Sequence, residues 1–155
     1  MTDEEAIALA LAEAEACAAR GEVPVGAVLL APDGALLAKD GNRILERKDP
    51  TAHAEMLVLR RAAEKLGNER LTGTSLFVSL EPCAMCAGAM SLARVGRLVF
   101  AAEDAKGGAV LNGPRFFEQP TCHSRPQVEG GVLAAESSAM LKTFFRARRK
   151  AGAKA

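Results

Sequence analysis

The sequence predicts an α/β layer sandwich. Short apolar runs of strand length alternate along it with longer segments whose apolar residues recur at helical spacing. The 155 residues give room for one hydrophobic core and too little for two, so one domain is expected. With 49% apolar and 25% charged residues the chain is not a disordered one, and no repeat or low-complexity tract divides it.

Each element has a local cause. Thr2 and Glu5 form a capping box ahead of Ile7, Leu11, Ala14 and Ala18, and Gly21 marks the stop of this first helix. V-G-A-V-L-L (25–30) and A-L-L-A (35–38) flank P-D-G, turn chemistry that predicts an antiparallel hairpin. From Ala52 to Leu66, the positions of Met56, Leu59, Ala63 and Leu66 suit a second helix ended by Gly67. S-L-F-V-S (75–79) reads as a buried strand, Pro82 as the opening of a third helix, and R-L-V-F-A (97–101) as another strand. Residues 103–126, rich in Gly and Pro, read as a long loop with one helical turn around Phe116. A weak strand at 127–129 precedes a last helix from about Leu133 to Lys150, and residues 150–155 are expected to fray.

The chemistry concentrates in T-A-H-A-E (51–55) and E-P-C-A-M-C (81–86). His53, Cys83 and Cys86 offer one imidazole and two thiolates, a good zinc set that leaves one tetrahedral position open. Three protein ligands plus water is the catalytic pattern, whereas a structural site would add a fourth Cys or His; Cys17, Cys122 and His123 are the candidates. Residues two apart share no face in mid-helix, though side chains can converge at a helix start; Glu55, two residues after His53, need not be a ligand and can stand beside a metal-bound water and move its proton. One zinc ion per chain is therefore expected. H-x-E paired with P-C-x-x-C is the signature of zinc deaminases.

The chain resembles the bacterial tRNA-specific adenosine deaminases of the cytidine deaminase-like superfamily over nearly its whole length. The resemblance is carried by E-V-P-V-G-A-V (22–28), G-N-R (41–43), D-P-T-A-H-A-E (49–55), L-E-P-C-A-M-C-A-G-A (80–89), D-A-K-G-G-A (104–109) and F-F-R-A-R-R (144–149). It implies a three-layer α/β/α sandwich with a central mixed five-stranded sheet. It also implies hydrolytic deamination of adenosine to inosine at the wobble position of a tRNA anticodon. On this likeness His53, Cys83 and Cys86 are zinc ligands and Glu55 the proton shuttle. Asn42 meets the flipped purine, Asp104 and Lys106 lie near the ribose and neighbouring nucleotides, and Phe144, Phe145 and Arg149 hold the splayed loop. A homodimer is implied as well. Between Gly108 and Val128 the chain departs from the best-known members, which lack its F-F-x-Q-P-T-C-H stretch; a subfamily variant is the simplest account, and no role carries over to Cys122 and His123.

Charge points the same way. Residues 1–22 carry six carboxylates against Arg20 alone, while residues 141–155 carry six Lys and Arg and no acid, on a chain of net charge +1. A basic end on a near-neutral protein fits an acidic partner such as nucleic acid, or else a solvated terminus. Adjacent Phe144 and Phe145 cannot both face a core, because helix neighbours diverge by about 100°. A deaminase of free nucleobases or nucleosides, of guanine or cytidine type, is the rival enzyme reading, though it has no use for such a tail. A structural zinc fold without activity has no use for Glu55. The apolar runs are too short for a membrane span and the acidic N-terminus lacks a secretory signal's positive charge, so a cytoplasmic protein is expected.

Overall fold

The structure, a computed structural model, describes the backbone of residues 1–154 and the side chains of residues 1–152. The frayed end expected at 150–155 reaches residues that lie outside this description. The elements run α1 (Asp3–Ala19), β1 (Gly26–Leu30), β2 (Leu36–Gly41), α2 (Ile44–Arg47), α3 (Ala54–Leu66), β3 (Ser75–Leu80), α4 (Ala84–Ala93), β4 (Arg97–Ala102), β5 (Gln127–Gly130) and α5 (Ala134–Lys154). One five-stranded sheet holds them together in the order β2-β1-β3-β4-β5. The β1–β2 and β1–β3 pairs are antiparallel, and the β3–β4 and β4–β5 pairs are parallel, which makes the sheet mixed as expected.

Strand alternation builds two cores from one sheet. Leu29, Leu76 and Leu98 form one cross-strand row. They bury against Val58 and Ala62 of α3 and Cys86 and Met90 of α4. Val28, Phe77 and Val99 form the next row, facing Ile7, Ala10 and Leu11 of α1 and, from α5, Met140. The fold is thus helix pair, sheet, helix pair. The closeness of α1 to the sheet depends on Gly26, where a Cβ would lie 1.9 Å from the Ala10 carbonyl oxygen.

Thr2 caps α1 as the sequence predicts: its hydroxyl accepts from the Glu5 N–H at 3.1 Å while the Glu5 carboxylate accepts from the Thr2 N–H at 2.8 Å. Three details differ from the sequence reading. The second long helix starts at Ala54, two residues later than expected, with His53 as its extended N-cap. Pro82 precedes the cap of α4 instead of opening the helix, because Cys83 takes the extended cap conformation. The short α2 was not expected; its first N–H groups are satisfied by Glu22, a buried carboxylate more than twenty residues upstream. The helical turn near Phe116 is a 3₁₀ turn over Phe116–Glu118. Among the described residues no helix is long and apolar enough to cross a membrane.

Candidate functional site

The site lies where the parallel strands end, the usual crevice of an open α/β sheet. His53 and Cys83 are the N-caps of α3 and α4, and both backbones are extended there. Neither side chain caps its own helix. Both turn toward each other instead: His53 Nδ1 lies 3.6 Å from Cys83 Sγ and 3.6 Å from Cys86 Sγ, and the three donor atoms fall within 4.8 Å of one another. Tetrahedral zinc with Zn–S about 2.3 Å and Zn–N about 2.0–2.1 Å sets N and S about 3.5–3.6 Å apart, so the residues fit this ion without rearrangement. Two helix N-termini facing one point also favour anionic sulfur.

The thiols already differ. A hydrogen bond from Cys86 lowers the Cys83 thiol to about 4 against the opposing effect of burial, with His53 adding to the drop. The same bond, together with burial, pushes Cys86 up. The His53 imidazole is raised, first by its contact with Cys83 and then, against burial, by the charge of Glu55. A bound zinc ion would overrule these preferences, since coordinated thiols are deprotonated outright.

Glu55 is buried in the first turn of α3 and stands outside the three-donor set. Burial pushes its carboxyl above the usual carboxylate range, the direction a proton shuttle working near neutrality needs. It lines a cavity of about 300 Å³ together with Asn42, His53, Glu81 and Cys83. Asn42 is itself held on both sides: its Oδ1 accepts from the Ala54 N–H at 2.9 Å and its Nδ2 donates to the Val23 carbonyl at 3.1 Å. One amide hydrogen remains for a ligand. Arg20 fixes the Asn42 backbone by donating to its carbonyl at 3.0 Å.

The other candidate ligands lie elsewhere. Cys17 is fully buried beneath Asn42 and takes a 3.2 Å contact from Arg20. Cys122 packs into the core under α4, with Ser91 Oγ at 3.4 Å and the Ser124 carbonyl at 3.2 Å. His123 is exposed. Among the described residues only His53, Cys83 and Cys86 form a metal-capable group.

A second depression of about 850 Å³ adjoins the first, and Val23, Leu80, Asp104 and Gly107 line both. Its far wall is one face of α5: Ser138, Leu141, Lys142, Phe145 and Arg149, the i, i+3, i+4 spacing of a helix stripe, opposite Lys106. Phe145 opens onto this groove and is 38% exposed. Phe144 does not line it. Its ring meets Phe145 edge-on at 5.5 Å and is covered by the Arg148 guanidinium at 4.9 Å, which also donates to the Gly21 carbonyl at 3.3 Å. The structure therefore brings Asn42, Asp104, Lys106, Phe145 and Arg149 to one connected surface with the zinc-type cluster and sets Phe144 behind it. Missed in the sequence were Val23 and Leu80, which join cavity to groove, and Glu81; an acid abutting P-C-x-x-C was the available signal for the last.

Residues 1–102 match the cytidine and deoxycytidylate deaminase zinc-binding region. A tRNA-specific adenosine deaminase of Agrobacterium fabrum is 55% identical over 141 residues, 91% of this chain and 92% of that protein. A structure solved in a study of A-to-I editing by tRNA:A34 deaminases at the wobble position of transfer RNA is similar at a TM-score of 0.86 and 53% identity, over 88% of this chain and 99% of that one. A solved guanine deaminase from Nitrosomonas europaea is similar at a TM-score of 0.78 and 25% identity, over 91% of this chain and 83% of that one.

Proposed function

Because the chain belongs to the zinc-binding cytidine and deoxycytidylate deaminase family, and within it to the tRNA-specific adenosine deaminases, we propose that it converts adenosine to inosine at the wobble position of a tRNA anticodon. The observation that carries this reading is the pairing of a cavity sized for one base with an open groove whose α5 wall carries Phe145, Lys142 and Arg149. A free base needs only the first. A splayed loop needs both, one nucleotide turned inward and its neighbours lying along Phe145, Lys142 and Arg149.

His53, Cys83 and Cys86 hold one zinc ion, which when bound supplies a Lewis-acid position that makes water a nucleophile near neutral pH. The proton work falls to Glu55. Its carboxylate takes a proton from water as the water oxygen bonds to C6 of the adenine and delivers that proton to N1. Glu55 then takes the proton of the new C6 hydroxyl and gives it to the exocyclic nitrogen, the C6–N bond breaks as the C6 carbonyl forms, and ammonia leaves. One water is consumed and no oxidant or reductant is needed. Asn42 orients the purine through its remaining amide hydrogen, Asp104 and Lys106 hold the ribose side and the next nucleotides, and Arg149 meets phosphate. Phe145 is the stacking surface, and Phe144 serves the RNA by bracing Phe145 and Arg148.

One deaminase domain over residues 1–155, acting as a cytoplasmic homodimer, completes the reading. Leu45 and Leu92, 59% and 71% exposed, are apolar surface that a second copy would cover. The likeness to a guanine deaminase favours the free-base alternative. A transcript of tRNA with adenosine at the wobble position tests the reading: incubation with the zinc-loaded chain should convert that single adenosine to inosine and spare the other adenosines. Xanthine formed from guanine, with the transcript untouched, would replace it by the alternative.

A further inference from the structure

The Glu81 carboxylate is 3% exposed and accepts five hydrogen bonds. Oε1 takes the Asp104 N–H at 3.1 Å and Asn112 Nδ2 at 2.6 Å. Oε2 takes the N–H groups of Val110, Leu111 and Asn112 at 3.0, 2.9 and 3.1 Å. Among the described residues no ion pair reaches it, so the charge is balanced by four backbone N–H dipoles and the Asn112 side-chain amide. The main chain reinforces the link, with the Glu81 N–H donating to the Ala102 carbonyl at 2.8 Å and the Ala109 N–H to the Pro82 carbonyl at 2.9 Å.

Two functional segments meet at this residue. Glu81 sits two positions before the ligand Cys83. The segment it gathers, 104–112, begins with Asp104, whose own carboxylate accepts from the N–H groups of Lys106 and Gly107 at 3.1 and 3.0 Å. Asp104 and Gly107 form the shared wall between cavity and groove. Gly108 is fitted to the same carboxylate, since a Cβ there would lie 2.5 Å from Glu81 Oε2 and 2.5 Å from the Asp104 carbonyl.

The geometry points to Glu81 as a positioning residue that locks the 104–112 segment to the metal-ligand loop and so sets the wall along which the substrate enters. A glutamine cannot substitute. Both oxygens receive two or more donors, so an amide NH₂ must face N–H groups on one side.

The test rests on the wobble-adenosine reading for its kinetic arm only. In Glu81→Gln, zinc should stay at one per chain while KM for an anticodon stem-loop rises about ten- to a hundredfold and kcat holds. Amide exchange should accelerate at Val110–Asn112 and stay slow in β3. Gly108→Ala should raise KM in the same way by displacing the carboxylate, and the double variant should be no worse than the poorer single one. An unchanged KM with a lower kcat and a smaller zinc-loaded fraction would overturn the proposal, as would unchanged exchange at 110–112. If Glu81→Gln does not fold, Gly108→Ala decides alone: a raised KM supports the lock and an unchanged one sinks it. Should the wild-type chain leave the stem-loop unedited, the function reading fails, and the exchange comparison still decides the role of Glu81.

Discussion

Adjacent Phe144 and Phe145 should respond differently to the same substitution. Phe145 presents its ring to the groove beside Lys142 and Arg149, with 38% of its surface exposed. Base stacking on such a ring contributes about 1–3 kcal/mol. Phe145→Leu keeps an apolar side chain but removes the flat face, so kcat/KM on an anticodon stem-loop should fall roughly five- to a hundredfold. Phe144→Leu forfeits the Arg148 contact, worth about 0.5–1 kcal/mol where exposed, and its edge-on support of Phe145. Its effect on catalysis should be smaller, and part of it should appear as lost thermal stability. Salt separates stacking from charge. Phe145→Leu should leave the slope of log(kcat/KM) against log[salt] as it was, while Arg149→Ala should reduce it by about 0.7, the value for one phosphate contact to a single strand. Steady-state editing at four or five salt concentrations, with melting temperatures alongside, gives all of these numbers. Equal losses at both phenylalanines, or none at either, would refute the division of labour read from α5.

Glu55→Gln should retain one zinc by metal analysis and lose at least about a hundredfold in deamination, because it removes the proton carrier and no ligand. Loss of the metal in that variant would make Glu55 a ligand. Gly26→Ala should destabilise the fold by about 3 kcal/mol or more in urea titration, since the new Cβ meets the Ala10 carbonyl of α1 and both are main-chain-bound. Asp40 supplies a pH test away from the metal. Burial raises its carboxyl, but the Gly41 N–H and the guanidiniums of Arg43 and Arg61, at 2.8, 2.9 and 2.8 Å, outweigh this and hold it below the usual value. A folded value below the unfolded one stabilises above about pH 3.9 and is lost as pH falls through the folded value. Asp40→Asn should therefore be about 1–3 kcal/mol less stable than wild type at pH 7, and the gap should close in acid; the metal site, common to both proteins, cancels in the comparison.

What could be read from the sequence was local. The Thr2–Glu5 box, the P-D-G turn and the short apolar runs of β1, β3 and β4 each need only neighbours, and all appear where expected. The zinc-type cluster was legible for the same reason: its donors come from two short motifs, each at a helix start. Hidden were the features made by distant carboxylates. Glu22 caps α2 from 23 and 24 residues away, and Glu81 gathers N–H groups 23 to 31 residues on. No periodicity records such partners. The sequence shows that Phe144 and Phe145 diverge on their helix. Which one faces the groove depends on how Met140 and the buried Ser137, through its bond to the Ser79 carbonyl, seat α5 on the sheet.

The most direct measurement compares one enzyme preparation on three substrates at equal concentration: an anticodon stem-loop with adenosine at the wobble position, free adenosine, and free guanine. Product is read by chromatography after nuclease digestion. A cavity that opens into a groove walled by Phe145, Lys142 and Arg149 predicts inosine from the stem-loop at a rate far above that from the nucleoside, and no xanthine. Turnover of free adenosine or guanine at a rate equal to or above that of the stem-loop would contradict the role assigned to the groove and to Phe145 within it.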